Sequence, residues 1–120
     1  MSSELYDRCI PTIVRRIGEQ PAEVQAIRVA GRTFVAIPAE FFCAPGLAIR
    51  QRCHPADVQV VGFANGMVGY VPTDEALGRG GYETTFGPTS WMGRGAAGQL
   101  VEAAVRVVSR SAAAHGSQRP

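Results

Sequence analysis

The sequence predicts an α/β fold of α+β character: two β-hairpins in a mixed sheet, covered by a C-terminal amphipathic helix and a shorter middle helix. Three observations carry this. Runs rich in β-branched residues flank Gly31-Arg32. Two more apolar runs flank Asn65-Gly66. From Gly95 to Ser109 the apolar residues change to helical spacing.

Residues 1–22 read as a lead-in, helical or irregular. Leu5, Cys9, Ile13 and Ile17 recur at helical spacing, but Pro11 interrupts them and Gly18 to Pro21 is a stop. The first hairpin then joins Val24–Ala30 to Thr33–Pro38. Gly31 stands at the first central position of its turn, as a type II′ turn requires. The second of these strands is apolar on both faces, with Phe34 and Ala36 on one side and Val35 and Ile37 on the other. That pattern predicts a strand covered on both sides.

Pro45 suits the first turn of a helix reaching about Cys53, and Pro55 closes it. Val58–Ala64 is the next strand. Asn65-Gly66, a pair that tolerates positive φ, predicts a hairpin to Met67–Val71. Asp74 to Leu77 predicts one helical turn, and Thr84 to Gly93 a loop holding the only tryptophan, Trp91. In the last helix Ala97, Val101, Ala104, Val105 and Val108 form one stripe, with Glu102, Arg106 and Ser109 outward. Three valines in it weaken intrinsic helicity, so packing on the sheet must hold it. Residues 111–120 read as a disordered tail.

Composition narrows the function. In 120 residues, 46% are hydrophobic and 18% charged, which describes one globular domain. A net charge of +2 with no basic run beyond Arg15-Arg16 argues against nucleic acid. No apolar run approaches the roughly 18 residues of a membrane span, and Ser2 to Asp7 is too polar for a signal peptide. A soluble chain is expected, its compartment open. Cys9, Cys43 and Cys53 form neither a disulfide framework nor a zinc motif, so reduced thiols are expected.

Several motifs are declined. Gly93-Arg94-Gly95-Ala96-Ala97-Gly98 matches a dinucleotide fingerprint in letters, but it lacks the preceding strand and the acid about 20 residues on. His54 and His115 have no second histidine at ligand spacing, and Ser90 has no triad partners in recognisable order. Glu40 reads either as a solvated acid near a helix start or as a carboxylate at the end of a buried strand. Tyr70 reads as a wall or core residue, or, if the two hairpins share a sheet, as a phenol converging on Glu40. Tyr82 lies beyond a loop holding Gly78, Gly80 and Gly81, where the backbone bends sharply.

Asn65-Gly-Met-Val-Gly-Tyr-Val-Pro-Thr73, followed by Gly80-Gly-Tyr-Glu83, resembles the neutral/alkaline (non-lysosomal) ceramidase family. Ala36-Ile-Pro-Ala-Glu40, Val60-Val-Gly-Phe-Ala64 and the final amphipathic helix are similar to it as well, so the resemblance covers about residues 23–110. It implies the later part of a zinc-dependent catalytic domain that cleaves the N-acyl amide bond of ceramide to sphingosine and fatty acid. By position, Glu40 and Tyr70 are the glutamate and tyrosine ligands of one zinc ion. Tyr82 is the second active-site tyrosine, directed at substrate or the developing oxyanion.

This chain departs from the family in three ways. The two zinc histidines and the region that carries them are absent, as is the immunoglobulin-like C-terminal domain of some members. Ala39 also replaces the usual glycine before the glutamate, restricting the backbone there. The expectation is an incomplete ligand set, inactive without the missing N-terminal half or a partner chain that supplies it. Two other readings stand beside it: a non-catalytic α/β module pairing through its sheet edge, and a zinc hydrolase of another amide or ester.

Overall fold

The computed structural model describes Gly18 and residues 21–116, with side chains to residue 114. Apart from Gly18, Pro21 and Ala22, the lead-in of residues 1–22 lies outside the described residues. The remainder is a mixed α+β fold. Strands β1 (Gln25–Val29), β2 (Arg32–Ala36) and β4 (Val58–Val61) form a three-stranded sheet in the order β1-β2-β4. Strands β3 (Glu40–Phe41) and β5 (Tyr70–Val71) form a second, two-stranded sheet. Helix α1 is Cys43–Arg52, α2 is Asp74–Arg79 and α3 is Ala96–Gly116, with a 3-10 turn at Tyr82–Thr84. Among the described residues no helix is long and apolar enough to cross a membrane.

The first hairpin forms, with its turn one position earlier than predicted. Val29 pairs with Arg32, leaving Ala30 and Gly31 as the loop, at φ 50° and 85°. Two central residues at positive φ mark a type I′ turn, whose twist matches the flanking strands.

The second hairpin does not form. Asn65 and Gly66 do take positive φ, 66° and 130°, and the chain turns there. However, β4 pairs in parallel with β2, and β5 in parallel with β3. The cause is a competition for backbone donors. The N–H groups of Phe63, Ala64 and Val68 go to the carbonyls of Ala39, Ile37 and Pro38, at 3.0, 3.2 and 2.7 Å. Residues 62–69 therefore wrap the end of the β2–β3 connection instead of folding back on β4. Ala39 itself is fully buried and is not among the described residues at positive φ, so its Cβ is accommodated without strain.

One helical layer covers the three-stranded sheet. Val35, Ile37, Ile49, Val58 and Val71 share the core with Ala97, Leu100, Val101, Ala104 and Val108 of α3. Fully burying an Ile such as Ile37 or Ile49 stabilises the fold by about 1.5–3 kcal/mol. In the predicted α3 stripe Val105 is only half-buried, and Leu100 completes the row. Arg52 at the end of α1 forks onto Glu102 of α3. Phe34, on the opposite face of β2 from Val35, is 37% exposed. A strand covered on both faces is thus corrected to one covered on one, because α1 and α3 lie on the same side.

Helix boundaries also moved. α1 begins two residues before Pro45 and ends at Arg52, with basic Arg50 and Arg52 near its negative C-terminal end. α2 is capped by Thr73, whose Oγ1 accepts from Ala76 N–H at 3.1 Å. α3 continues to Gly116, so residues 111–116 of the expected disordered tail are helical. Ala112, Ala113 and Ala114 have the highest intrinsic helix propensity and extend the helix beyond its packed part.

Candidate functional site

The three residues singled out from the sequence come together at the short sheet. Glu40 is directly opposite Tyr70, and Phe41 opposite Val71. Partners across a parallel ladder share a face of the pleat, and successive residues alternate. Val71 is fully buried, so Glu40 and Tyr70 take the other face, where both are half-buried. The parallel pairing, and not a hairpin, is what brings them into register.

The backbone around Tyr70 is held on both sides. Glu40 N–H donates to Gly69 O at 3.0 Å, and Tyr70 N–H donates to Thr89 O at 2.7 Å. Thr89 belongs to the segment expected to be a plain loop, which a Gly87–Ser90 bridge tightens. Gly69 sits between these bonds at φ 87°, and a Cβ there would lie 2.5 Å from Thr89 O. Only glycine suits both the conformation and the close approach.

Tyr82 stands at the start of the 3-10 turn. The Thr84 and Thr85 hydroxyls both donate to Gly81 O, at 3.2 and 2.6 Å, which closes that turn. Its ring stands edge-on to Tyr70, with centroids 6.0 Å apart and planes at 81°. Such a T-shaped pair is favourable. Tyr82 is 68% exposed, so its phenol remains open to a ligand.

The Tyr70 phenol is pushed above its ordinary pKa. The main cause is the Glu40 carboxylate beside it, an acceptor that favours the protonated phenol, followed by partial desolvation and the negative fields of Glu40, Tyr82 and Glu83. All of these favour the neutral phenol. Glu83, which residue-by-residue reading did not weigh, adds its negative field at Tyr70. Its one signal was its place directly after Tyr82. Among the described residues neither Glu40 nor Glu83 is in an ion pair with Arg or Lys.

Other residues weighed from the sequence lie elsewhere. His54 is exposed in the turn between α1 and β4, Cys43 is exposed and Cys53 is half-buried, both cysteines as free thiols. Burial pushes the Cys53 thiol up. Gly95, in the declined glycine motif, donates its N–H to Asp74 Oδ1 at 2.8 Å, which ties α2 to the start of α3. The side chain of His115 lies outside the described residues. Among the described residues, Trp91 Nε1 is buried with no hydrogen-bond partner.

The donor chemistry fits part of a zinc site. A carboxylate and a phenol on one face are two oxygen donors, whereas catalytic zinc takes three protein ligands and an open position as a rule. Among the described residues no three His, Cys, Asp or Glu side chains cluster to hold a metal. Among the described residues, Glu40 and Tyr70 are two oxygen donors side by side. No protein-family model, curated protein or solved structure matches it.

Proposed function

We propose that this chain is the later portion of a zinc-dependent, ceramidase-like amidohydrolase, cleaving the N-acyl amide bond of a ceramide-like lipid to sphingosine and fatty acid. The observation that supports this most is the Glu40–Tyr70 register, with Tyr82 6.0 Å from Tyr70. Three residues singled out from the sequence, and matched by the resemblance, lie close together.

In this reading Glu40 and Tyr70 are two of the protein ligands, and the others come from another segment or polypeptide. Zinc, when bound, supplies Lewis-acid polarisation of the amide carbonyl and activation of water. Zinc bound there would favour the Tyr70 phenolate, opposite to the Glu40 carboxylate, which now keeps that phenol neutral. Tyr82, exposed beside the pair, donates its O–H to the carbonyl oxygen as negative charge develops there. One such donor is worth about 2.7–4 kcal/mol in the transition state.

Calorimetric zinc titration tests the assignment. The chain alone is expected to bind zinc weakly, because affinity depends on a complete, preorganised ligand set, and Glu40→Gln or Tyr70→Phe should remove even that. Tight one-to-one binding that depends on His54 or His115 would place the site elsewhere. A second reading, a non-catalytic module pairing through a sheet edge, is supported by the edge positions of β1 and β4.

A further inference from the structure

Among the described residues no element covers the outward face of the three-stranded sheet. Ala22, Val24 and Ala26 pack toward the core, so alternation turns Glu23, Gln25, Ile27 and Val29 to the opposite face. Phe34 and Ala36 of β2 and Gln59 and Val61 of β4 share that face, Phe34 in register with Ile27 and Gln59, Ala36 with Gln25 and Val61. Ile27 and Val29 are 56% and 55% exposed, and Val61 42%. A sheet face left to water ordinarily carries polar side chains, whereas the middle of this one is apolar.

We propose that residues 10–17 of this chain lie across that face, with Ile13, Val14 and Ile17 against Ile27 and Phe34. The inference is independent of the zinc reading, because Glu40, Tyr70 and Tyr82 take no part in it.

Spacing, reach and charge point to this segment. Ile10, Ile13, Val14 and Ile17 recur at i, i+3, i+4 and i+7, one stripe of a helix, and Thr12, Arg15 and Arg16 fall off it. Pro11, which interrupts the longer pattern from Leu5, suits the first turn of a helix that starts there. Only residues 18–21 separate Ile17 from Ala22. Five Cα steps span at most about 17 Å, and a three-stranded sheet is about 10 Å across, so Ile17 stays within reach of one face of this sheet or the other. On the core side α3 already fills the sheet, and the cleft left beside Ala22 presents Gln99, Glu102 and Arg106. The open face offers apolar surface instead. Glu23 stands at the same end of that face, hydrogen-bonded by Gln25 and, among the described residues, in no ion pair. Arg15-Arg16 directly precede Ile17 and bring the opposite charge to that end.

Hydrogen exchange read by mass spectrometry on the full chain is the test. In the wild type the amides of residues 14–17 should be protected, to the same degree at sub-micromolar and tens-of-micromolar concentration. Ile27→Lys and Phe34→Lys should each speed their exchange by about tenfold or more, since each sets a charge under an apolar stripe. Ile27 is more than half exposed on an edge strand, so its variant folds even if the Phe34 variant does not. Gln99→Lys, in the cleft beside Ala22, should leave these amides unchanged. Wild-type amides that exchange at the unprotected rate overturn the proposal and leave the face to a different polypeptide. Protection that survives Ile27→Lys, that is lost in Gln99→Lys, or that appears only as concentration rises overturns it equally.

Discussion

Replacing Gly69 by alanine tests whether the candidate site depends on a close backbone approach. Two costs add at that position. The residue sits at φ 87°, where a Cβ costs about 1–2 kcal/mol. That Cβ would also lie 2.5 Å from Thr89 O, a backbone atom that cannot swing aside. Forcing extra volume into a packed position costs about 1–3 kcal/mol. The total is about 2–5 kcal/mol, a large share of the roughly 5–15 kcal/mol that stabilises a domain. Gly31→Ala is the control. Gly31 has φ 85° with nothing within 4 Å of its Cβ position, so it carries the backbone cost without the collision. The stabilisation that alanine gains through the unfolded chain is common to both variants and cancels. Urea unfolding followed by circular dichroism should place Gly69→Ala below Gly31→Ala by about 1–3 kcal/mol. Equal stabilities would refute the close approach, and with it the claim that the Thr89 contact holds Tyr70 in place.

The two tyrosines should separate in a chain supplied with a complete ligand set. Tyr70→Phe should lose zinc and turnover together, whereas Tyr82→Phe should keep zinc and lower kcat by about 10²–10³, read by metal analysis beside ceramide-hydrolysis kinetics. With Tyr6 and Tyr82 changed to phenylalanine, Tyr70 should ionise above the usual tyrosine range in an absorbance titration, and Glu40→Gln should move that midpoint down. A raised folded-state pKa contributes stability that is full below the unfolded value and is lost as pH rises through the folded one. At the acid end the signs reverse. Arg32 lowers Asp57 and Arg52 lowers Glu102, so both contributions should be present above the ordinary carboxylate range and disappear as pH falls through the depressed values. Arg52→Ala should flatten the acid limb of a thermal-melting profile.

Much of the local structure was legible. The Ala97–Val108 stripe, the Gly31 turn and the short helix after Thr73 each depend on spacing, capping or positive φ, properties of a few adjacent residues. The candidate site was legible in part: Glu40 at a strand end and Tyr70 on a return strand were open alternatives from the pattern, and the resemblance favoured them. Glu40, Tyr70 and Tyr82 are ordinary residues in their local context, and no spacing between them signals convergence. Glu83 was passed over for the same reason.

The hairpin at Asn65-Gly66 shows where local evidence fails. The dipeptide permits a turn at positive φ, and the turn is there. Whether the flanking strands then pair with each other depends on competing acceptors, and the Ile37–Ala39 carbonyls won the donors of Phe63, Ala64 and Val68.

The sequence by itself determined the three helices up to the packed part of the last one, most of the turns, and which residues are apolar enough to form a core. Those properties follow from backbone sterics and side-chain hydrophobicity within a few residues. Only the tertiary structure decided that both strand pairs beyond the first hairpin are parallel, that Glu40 stands opposite Tyr70, and that one face of the sheet is left uncovered. Each of these is a choice among long-range partners, made by the packing of α1 and α3 on a single side and by the hydrogen bonds of residues 62–69, neither of which any short stretch of sequence contains.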